Sequence, residues 1–191
     1  MMKKIHVLFL CAVVLVAQAC KKKSDDTTTT TTTTTYLLSA TFNGTAWDPV
    51  DTLSANVTYT AATKTKVLNI TGTNGKRQLA FAITVNNATS TGDFPTGTYN
   101  VDANGNPSMV YSGAQTDANG KVTFVPIVAA TQGNGTITIS KVDATAKTIT
   151  GTFSMSALQT NYDGNGNVVS ITNTSVTGGA INAMPYTVIN K

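Results

Sequence analysis

The sequence predicts an all-β domain: an antiparallel β-sandwich of about ten to twelve short strands, mostly in meander order. Three observations predict it. From Tyr36 onward Thr, Val, Ile, Asn and Gly dominate, and helix formers are scarce. Apolar residues recur at every second position, the period of a half-buried strand. Turn-forming residues fall between the alternating runs. A closed up-and-down barrel, lipocalin-like, satisfies the same periodicity and stays open as the alternative, because alternation reports a strand and not how its sheet closes.

The elements follow in chain order. Asn43-Gly44 lies between Phe42 and Trp47 and marks a hairpin, since both turn residues accept positive φ. Ala55, Val57 and Tyr59 line one face of the next strand. Asn74-Gly75 joins a strand near Val67–Thr71 to one that begins at Arg77, where Leu79, Phe81, Ile83 and Val85 share a face. Gly133-Asn134-Gly135 and Gly178-Gly179 read as turns or bulges. They are not phosphate loops, because no helix follows them. Ile137 and Ile139 alternate with Thr136, Thr138 and Ser140. Residues Asp143 to Lys147 turn the chain into a strand carrying Ile149, Phe153 and Met155 on one side, with Gly151 between them. No run shows a 3.6-residue apolar stripe of helical length.

The first 35 residues are built differently. Met1 to Lys4 is a short basic segment, and Ile5 to Ala17 is apolar except for His6. That length fits the core of a signal peptide and falls short of the roughly 20 residues a bilayer span needs. Ala17-Gln18-Ala19 is a small-x-small cut site. The same stretch, ending at Cys20, resembles the lipobox of bacterial lipoproteins, with Ala17 and Gln18 where that pattern favours Leu and a small residue. The resemblance implies cleavage before Cys20 and lipid on its sulfur. The expected organisation is a signal peptide over 1–19, a lipid-anchored Lys/Asp/poly-Thr tether over 20–35, and a single all-β domain over 36–191.

More than one acyl chain is needed for stable anchoring, at about 0.8 kcal/mol per buried CH₂. Lys21, Lys22 and Lys23 can add contact with anionic headgroups. Thr27 to Thr35 is an unbroken threonine run and can form no core of its own. Fully stretched, residues 21–35 reach about 50 Å. Lys23-Ser24-Asp25-Asp26 resembles the acidic export signals of some Bacteroidota lipoproteins, which implies an outer-membrane location, periplasmic or surface-exposed. Asp26-Thr27-Thr28 and Asp51-Thr52-Leu53 resemble the O-glycan acceptor motif of that phylum, which implies Thr27 and Thr52 as acceptors.

Composition narrows the chemistry. The chain has no glutamate, its one histidine is His6, and its cysteines are Cys11 and Cys20, so residues 36–191 hold no Cys, His or Glu. A Cys/His or Ser/His/Asp apparatus and a Cys/His zinc site cannot be built from such a domain alone. The net charge of +4 for the whole chain shrinks to +1 from Tyr36 onward, with eight Lys or Arg against seven Asp. That is no nucleic-acid footprint. Asp102, Asp117 and Asp163 open Asp-x-Asn-Gly segments that place oxygens at alternate positions, as calcium prefers, but the EF-hand pattern fails after Asp163, where Val168 and Thr174 occupy its Gly and Glu places, and the flanks are strands, not helices. The reading is turn chemistry, with no metal and no cofactor expected. Paired aspartates could serve glycoside hydrolysis, yet turn formation accounts for most of them, and no enzyme activity is expected. Trp47, Tyr99 and Tyr111 are the candidates for stacking on a sugar face, with core packing as the plainer role of Trp47.

Phe42-Asn43-Gly44-Thr45-Ala46-Trp47, Gly97-Thr98-Tyr99, Gly135-Thr136-Ile137-Thr138-Ile139, Ile149-Thr150-Gly151-Thr152-Phe153-Ser154 and Ile171-Thr172-Asn173 follow one another in an order that resembles Bacteroidota lipoproteins carrying a β-rich domain of unknown function, family number 6252. The resemblance runs from Leu38 to about Tyr186 and implies the same leader, lipid cysteine, tether and single domain. It carries no activity or site. The expected function is therefore a non-enzymatic envelope module, membrane-bound through its N-terminal lipid, that binds a glycan or another envelope component. The alternatives are a structural or assembly lipoprotein with a protein partner, and a barrel holding a small apolar ligand. An exposed aromatic platform favours the first, an unguarded long strand edge the second and an inner cavity the third. Two facing aspartates in a cleft would instead favour a hydrolase.

Overall fold

Alternation becomes two packed sheets. The structure is a computed structural model that describes residues 36–191. The leader, Cys20, the tether and Thr27 lie outside the described residues. One sheet, A, is ordered β2 (Thr45–Trp47), β1 (Leu38–Phe42), β11 (Val168–Pro185), β10 (Thr148–Tyr162), β9 (Gly135–Asp143) and β6 (Gly97–Asn100). The other, B, is ordered β12 (Thr187–Asn190), β3 (Thr52–Thr60), β4 (Thr65–Asn74), β5 (Arg77–Val85), β7 (Ser108–Thr116) and β8 (Val122–Ala129). The two sheets stay separate, each with two edges, so the barrel alternative does not hold and the sandwich does.

The odd-numbered residues of the early part of β10 supply one inner face and β5 the other. Ile149, Phe153 and Met155 are buried opposite Leu79, Phe81 and Ile83. Phe81 and Phe153 meet across the sheets, ring centroids 4.5 Å apart and tilted by 52°, a favourable tilted aromatic geometry. Ile137, Ile139, Val57, Leu68 and Ile70 fill the space around them. Trp47 is buried at the β2 edge, where its Nε1 finds no hydrogen-bond partner among the described residues.

The turns form where their chemistry requires. Asn43 and Gly44 take φ of 46° and 82°, the double positive φ of a tight hairpin. At the second site the turn is Gly75-Lys76, one residue later than the sequence suggests, because Asn74 still pairs with Arg77. Gly178 bulges inside β11 with φ 59°, as a Gly-Gly step within a strand permits.

Besides the non-consecutive neighbours β1–β11, β9–β6 and β5–β7, two further features depart from the expectation of short strands in meander order. β12 lies parallel to β3, with Val188 opposite Val57. A chain leaving β11 in sheet A must cross to sheet B and arrives alongside β3 in the same direction. Second, β10 and β11 have 15 and 18 residues. They are long because they outrun their neighbours.

Candidate functional site

The outer parts of β10 and β11 form an arm. Pairing of β10 with β9 ends at Met155 opposite Gly135. Pairing of β11 with β1 ends at Val176 opposite Phe42. The last backbone bonds to neighbours are from Ser156 N to Asn134 O (2.8 Å) and from Asn43 N to Ser175 O (2.8 Å). Beyond them, Ala157–Tyr162 and Val168–Thr174 pair only with each other. Backbone groups alternate sides along a strand. Since Ser156 faces the β9 side, so do Leu158, Thr160 and Tyr162. Since Ser175 faces the β1 side, so do Asn173 and Ile171. Both edges of the ribbon are therefore open.

The side chains of the arm divide by face. Asn161 Nδ2 donates to Ser170 Oγ (2.9 Å) and Thr172 Oγ1 (3.2 Å), which puts these three on one polar face. On the opposite face, Leu158 is 68% exposed, Ile171 63% and both Tyr162 and Val169 61%. Apolar side chains this exposed in a cluster mark interaction surfaces rather than chance surface residues. The arm carries no charge until the turn at Asp163. Native edges are commonly guarded by charge or proline, and this ribbon has neither.

A second hairpin leaves the sandwich at the same end. β7 and β8 run past the start of β5, where Arg77 pairs with Gly113, and carry exposed Val122, Val125 and Ile127. Phe42 marks this end: its ring lies 4.6 Å from that of Tyr111 on β7, and the Arg77 guanidinium sits 5.2 Å above it. The free edge of β8 does contain a proline, Pro126. The N-terminal end of the domain is at the opposite pole. Asn182 N donates to Leu37 O (2.9 Å), and Val168 stands fourteen residues up the same strand from Asn182, roughly 45 Å away.

The three sequence-derived aromatic candidates do not converge. Trp47 is buried on β2, at one edge of sheet A. Tyr99 is on β6, at the other edge, and its hydroxyl donates to Pro95 O (2.8 Å). Tyr111 is in sheet B against Phe42. They form no common stacking platform. Thr52, the other candidate acceptor, is exposed at the start of β3, with its hydroxyl bonded to that of Thr73.

The Asp-x-Asn-Gly segments share one construction. Asp163 Oδ1 accepts from Asn165 N and Asn167 N, both at 2.8 Å. Asp117 accepts from Asn119 N and Lys121 N, and Asp102 from Asn104 N and Asn106 N. Each carboxylate is turned toward backbone donors, which is Asx-turn chemistry. The hydrogen bonds from Asn167 and Asn165 hold the Asp163 carboxyl below the usual carboxylate range.

Sequence reasoning missed Lys66. Its side chain is buried, and its ammonium donates to Asp93 O (2.7 Å), Asp93 Oδ1 (3.2 Å) and Thr91 Oγ1 (3.3 Å). Tyr186 adds a bond from its hydroxyl to Gly92 O (2.7 Å). Together they fasten the long β5–β6 connection. A hydrogen bond from Thr91, then one from Lys66, holds the Asp93 carboxyl below its ordinary value. The arm was missed too, although a signal exists. Leu158 and Tyr162 are out of phase with the buried Phe153, Met155 and Ala157 on the same strand, as apolar residues on a solvent-facing side must be.

Over sheet A lies a shallow open depression of about 340 Å³, lined by Thr136, Thr138, Thr152, Ser154 and the Gly178-Gly179 backbone. It holds no charged side chain. No group of three or more metal-ligating side chains occurs among the described residues.

Fold and arm together define a class: a β-sandwich without helices that projects an unguarded two-stranded ribbon from one pole. A family model described as a domain of unknown function (DUF6252) matches residues 34–179. The chain belongs to that family. The match takes in the whole arm and ends at Gly179, before the rest of β11 and the parallel strand β12. No curated protein and no solved structure matches the chain.

Proposed function

We propose that this chain is an exported outer-membrane lipoprotein, anchored through Cys20, whose domain is a non-enzymatic module that docks a protein of the cell envelope on the β10–β11 arm. The open backbone edges at Leu158–Tyr162 and Ile171–Asn173 carry the reading. They offer a partner strand both hydrogen-bond groups and apolar side chains, the combination used in strand addition. The scattered positions of Trp47, Tyr99 and Tyr111 favour a protein partner over a stacked glycan. The turn-bound carboxylates favour binding over catalysis. Within the domain the arm lies at the pole away from Tyr36, which leaves it clear of the point where the chain enters the sandwich.

The test places a photo-crosslinking residue at Leu158, Ile171 or, as a control on the sandwich, Thr98 in the full chain within cells. The expected result is a discrete adduct from positions 158 and 171 and none from 98. Equal labelling at all three sites, or none at the arm, overturns the docking assignment. In the same cells a palmitate analogue labels the wild-type chain and not Cys20→Ser. Labelling that survives Cys20→Ser overturns the anchor.

A further inference from the structure

We propose that the occupant of the arm is a second copy of this chain, paired through the open edge of β10. This rests on the docking assignment above and deepens it. The edge exposes the backbone of Leu158, Thr160 and Tyr162, every second residue. Antiparallel pairing of this edge with itself has a twofold axis at Thr160. Thr160 then faces Thr160 of the partner subunit, and Leu158 faces the partner subunit's Tyr162. Aliphatic–aromatic cross-strand pairs of this kind are stabilising. The same operation on the β11 edge, centred on Ile171, sets Asn173 against Val169, a poorer match, so the β10 edge is the one chosen.

Charge permits the pairing. Between Lys147 and Lys191 the only charged residue is Asp163, in the turn beyond the edge. Identical surfaces brought together here meet no like charges, which would otherwise oppose a self-pair. The union also completes the ribbon. A two-stranded ribbon is marginal alone, and pairing gives it the additional strands a sheet needs. Size sets the strength. Leu158, Tyr162, Val168, Val169 and Ile171 together expose roughly 500 Å². Two arms thus bring at most about 1,000 Å² to the contact, the low end of specific interfaces. The dimer is accordingly weak, with a dissociation constant on the order of 10 μM.

The experiment uses the full chain with Cys11→Ser and Cys20→Ser, purified in detergent, so that added cysteines are the only thiols. Thr160→Cys should form a disulfide-linked dimer under mild oxidation, because facing residues of a hydrogen-bonded antiparallel pair sit about 5.5 Å apart at Cα, within disulfide reach. Gln159→Cys, which has no identical residue opposite it, should not. Sedimentation should show the mass doubling as concentration passes through the micromolar range, and Leu158→Lys should weaken that association about tenfold or more. A single-chain mass up to about 100 μM, or a dimer indifferent to Leu158→Lys, overturns the self-pairing. The two proposals separate cleanly. If the chain stays monomeric while position 158 still crosslinks to a different protein in cells, self-pairing fails and docking stands. If neither adduct forms, both fail.

Discussion

Gly151→Ala and Gly179→Ala each lower the unfolding free energy of the domain by about 3 kcal/mol, the upper part of the overpacking range. The cause is steric. A methyl group at Gly179 meets the Phe153 carbonyl oxygen and lies 2.5 Å from Phe153 Cδ2 and 2.6 Å from Cε2. A methyl group at Gly151 meets the Thr138 carbonyl oxygen on β9. Neither oxygen belongs to a flexible side chain. Each belongs to the backbone of a strand hydrogen-bonded on both sides, β9 between β10 and β6 and β10 between β11 and β9, so relief requires moving β9 or β10 away from the core. Gly164→Ala is the control: no atom lies within 4 Å of a methyl group there, and its φ is not in the left-handed region. Denaturant titration of the three variants should show two midpoints shifted down and one unchanged. If Gly151→Ala and Gly179→Ala unfold like the wild type, the tight crossing of β9, β10 and β11 is wrong.

Two residues five places apart on β10 should respond in opposite ways to the same kind of truncation. Phe153 is 4% exposed and packs on Phe81 across the sandwich. Phe153→Ala removes the ring and leaves a cavity, at about 3–5 kcal/mol. Leu158 is 68% exposed on the arm. Leu158→Ala should change stability by no more than about 0.5 kcal/mol, as for an ordinary surface site. Calorimetry or denaturant titration of dilute protein reads both. A large loss from Leu158→Ala would mean that the outward face of the arm is packed against the domain and is not free to receive a partner.

This contrast also shows how far the sequence could be read. The sandwich was legible because Leu79, Phe81, Ile83 and Ile149, Phe153, Met155 keep a strict period of two, and because Asn43-Gly44 admits few other conformations. Closure was not legible: alternation in a barrel and in a sandwich is the same, and only the pairing of β12 with β3 and the four free edges decide it. The arm was half legible. Its residues are β-formers, but nothing local says that β9 stops at Gly135 and β1 at Phe42. Strand ends are set by neighbours far away in sequence. Lys66 was illegible for a related reason. Its acceptors, on Thr91 and Asp93, arrive from a loop some 25 residues on, and only the fold brings them to its ammonium. Trp47 behaved as a core anchor, so an aromatic that looked like a ligand candidate belongs to the interior.

Residue-resolved amide exchange of dilute, monomeric protein tests the open ribbon most directly. The N–H groups of Leu158, Thr160 and Ile171 should exchange rapidly, while Ala157, Gln159 and Thr172, which face across the ribbon, exchange more slowly. Raising the concentration, or adding a captured partner, should slow the fast set selectively. Equal protection along Ala157–Tyr162 in the dilute monomer would show both sides of β10 already paired, and would contradict an arm poised to receive another strand.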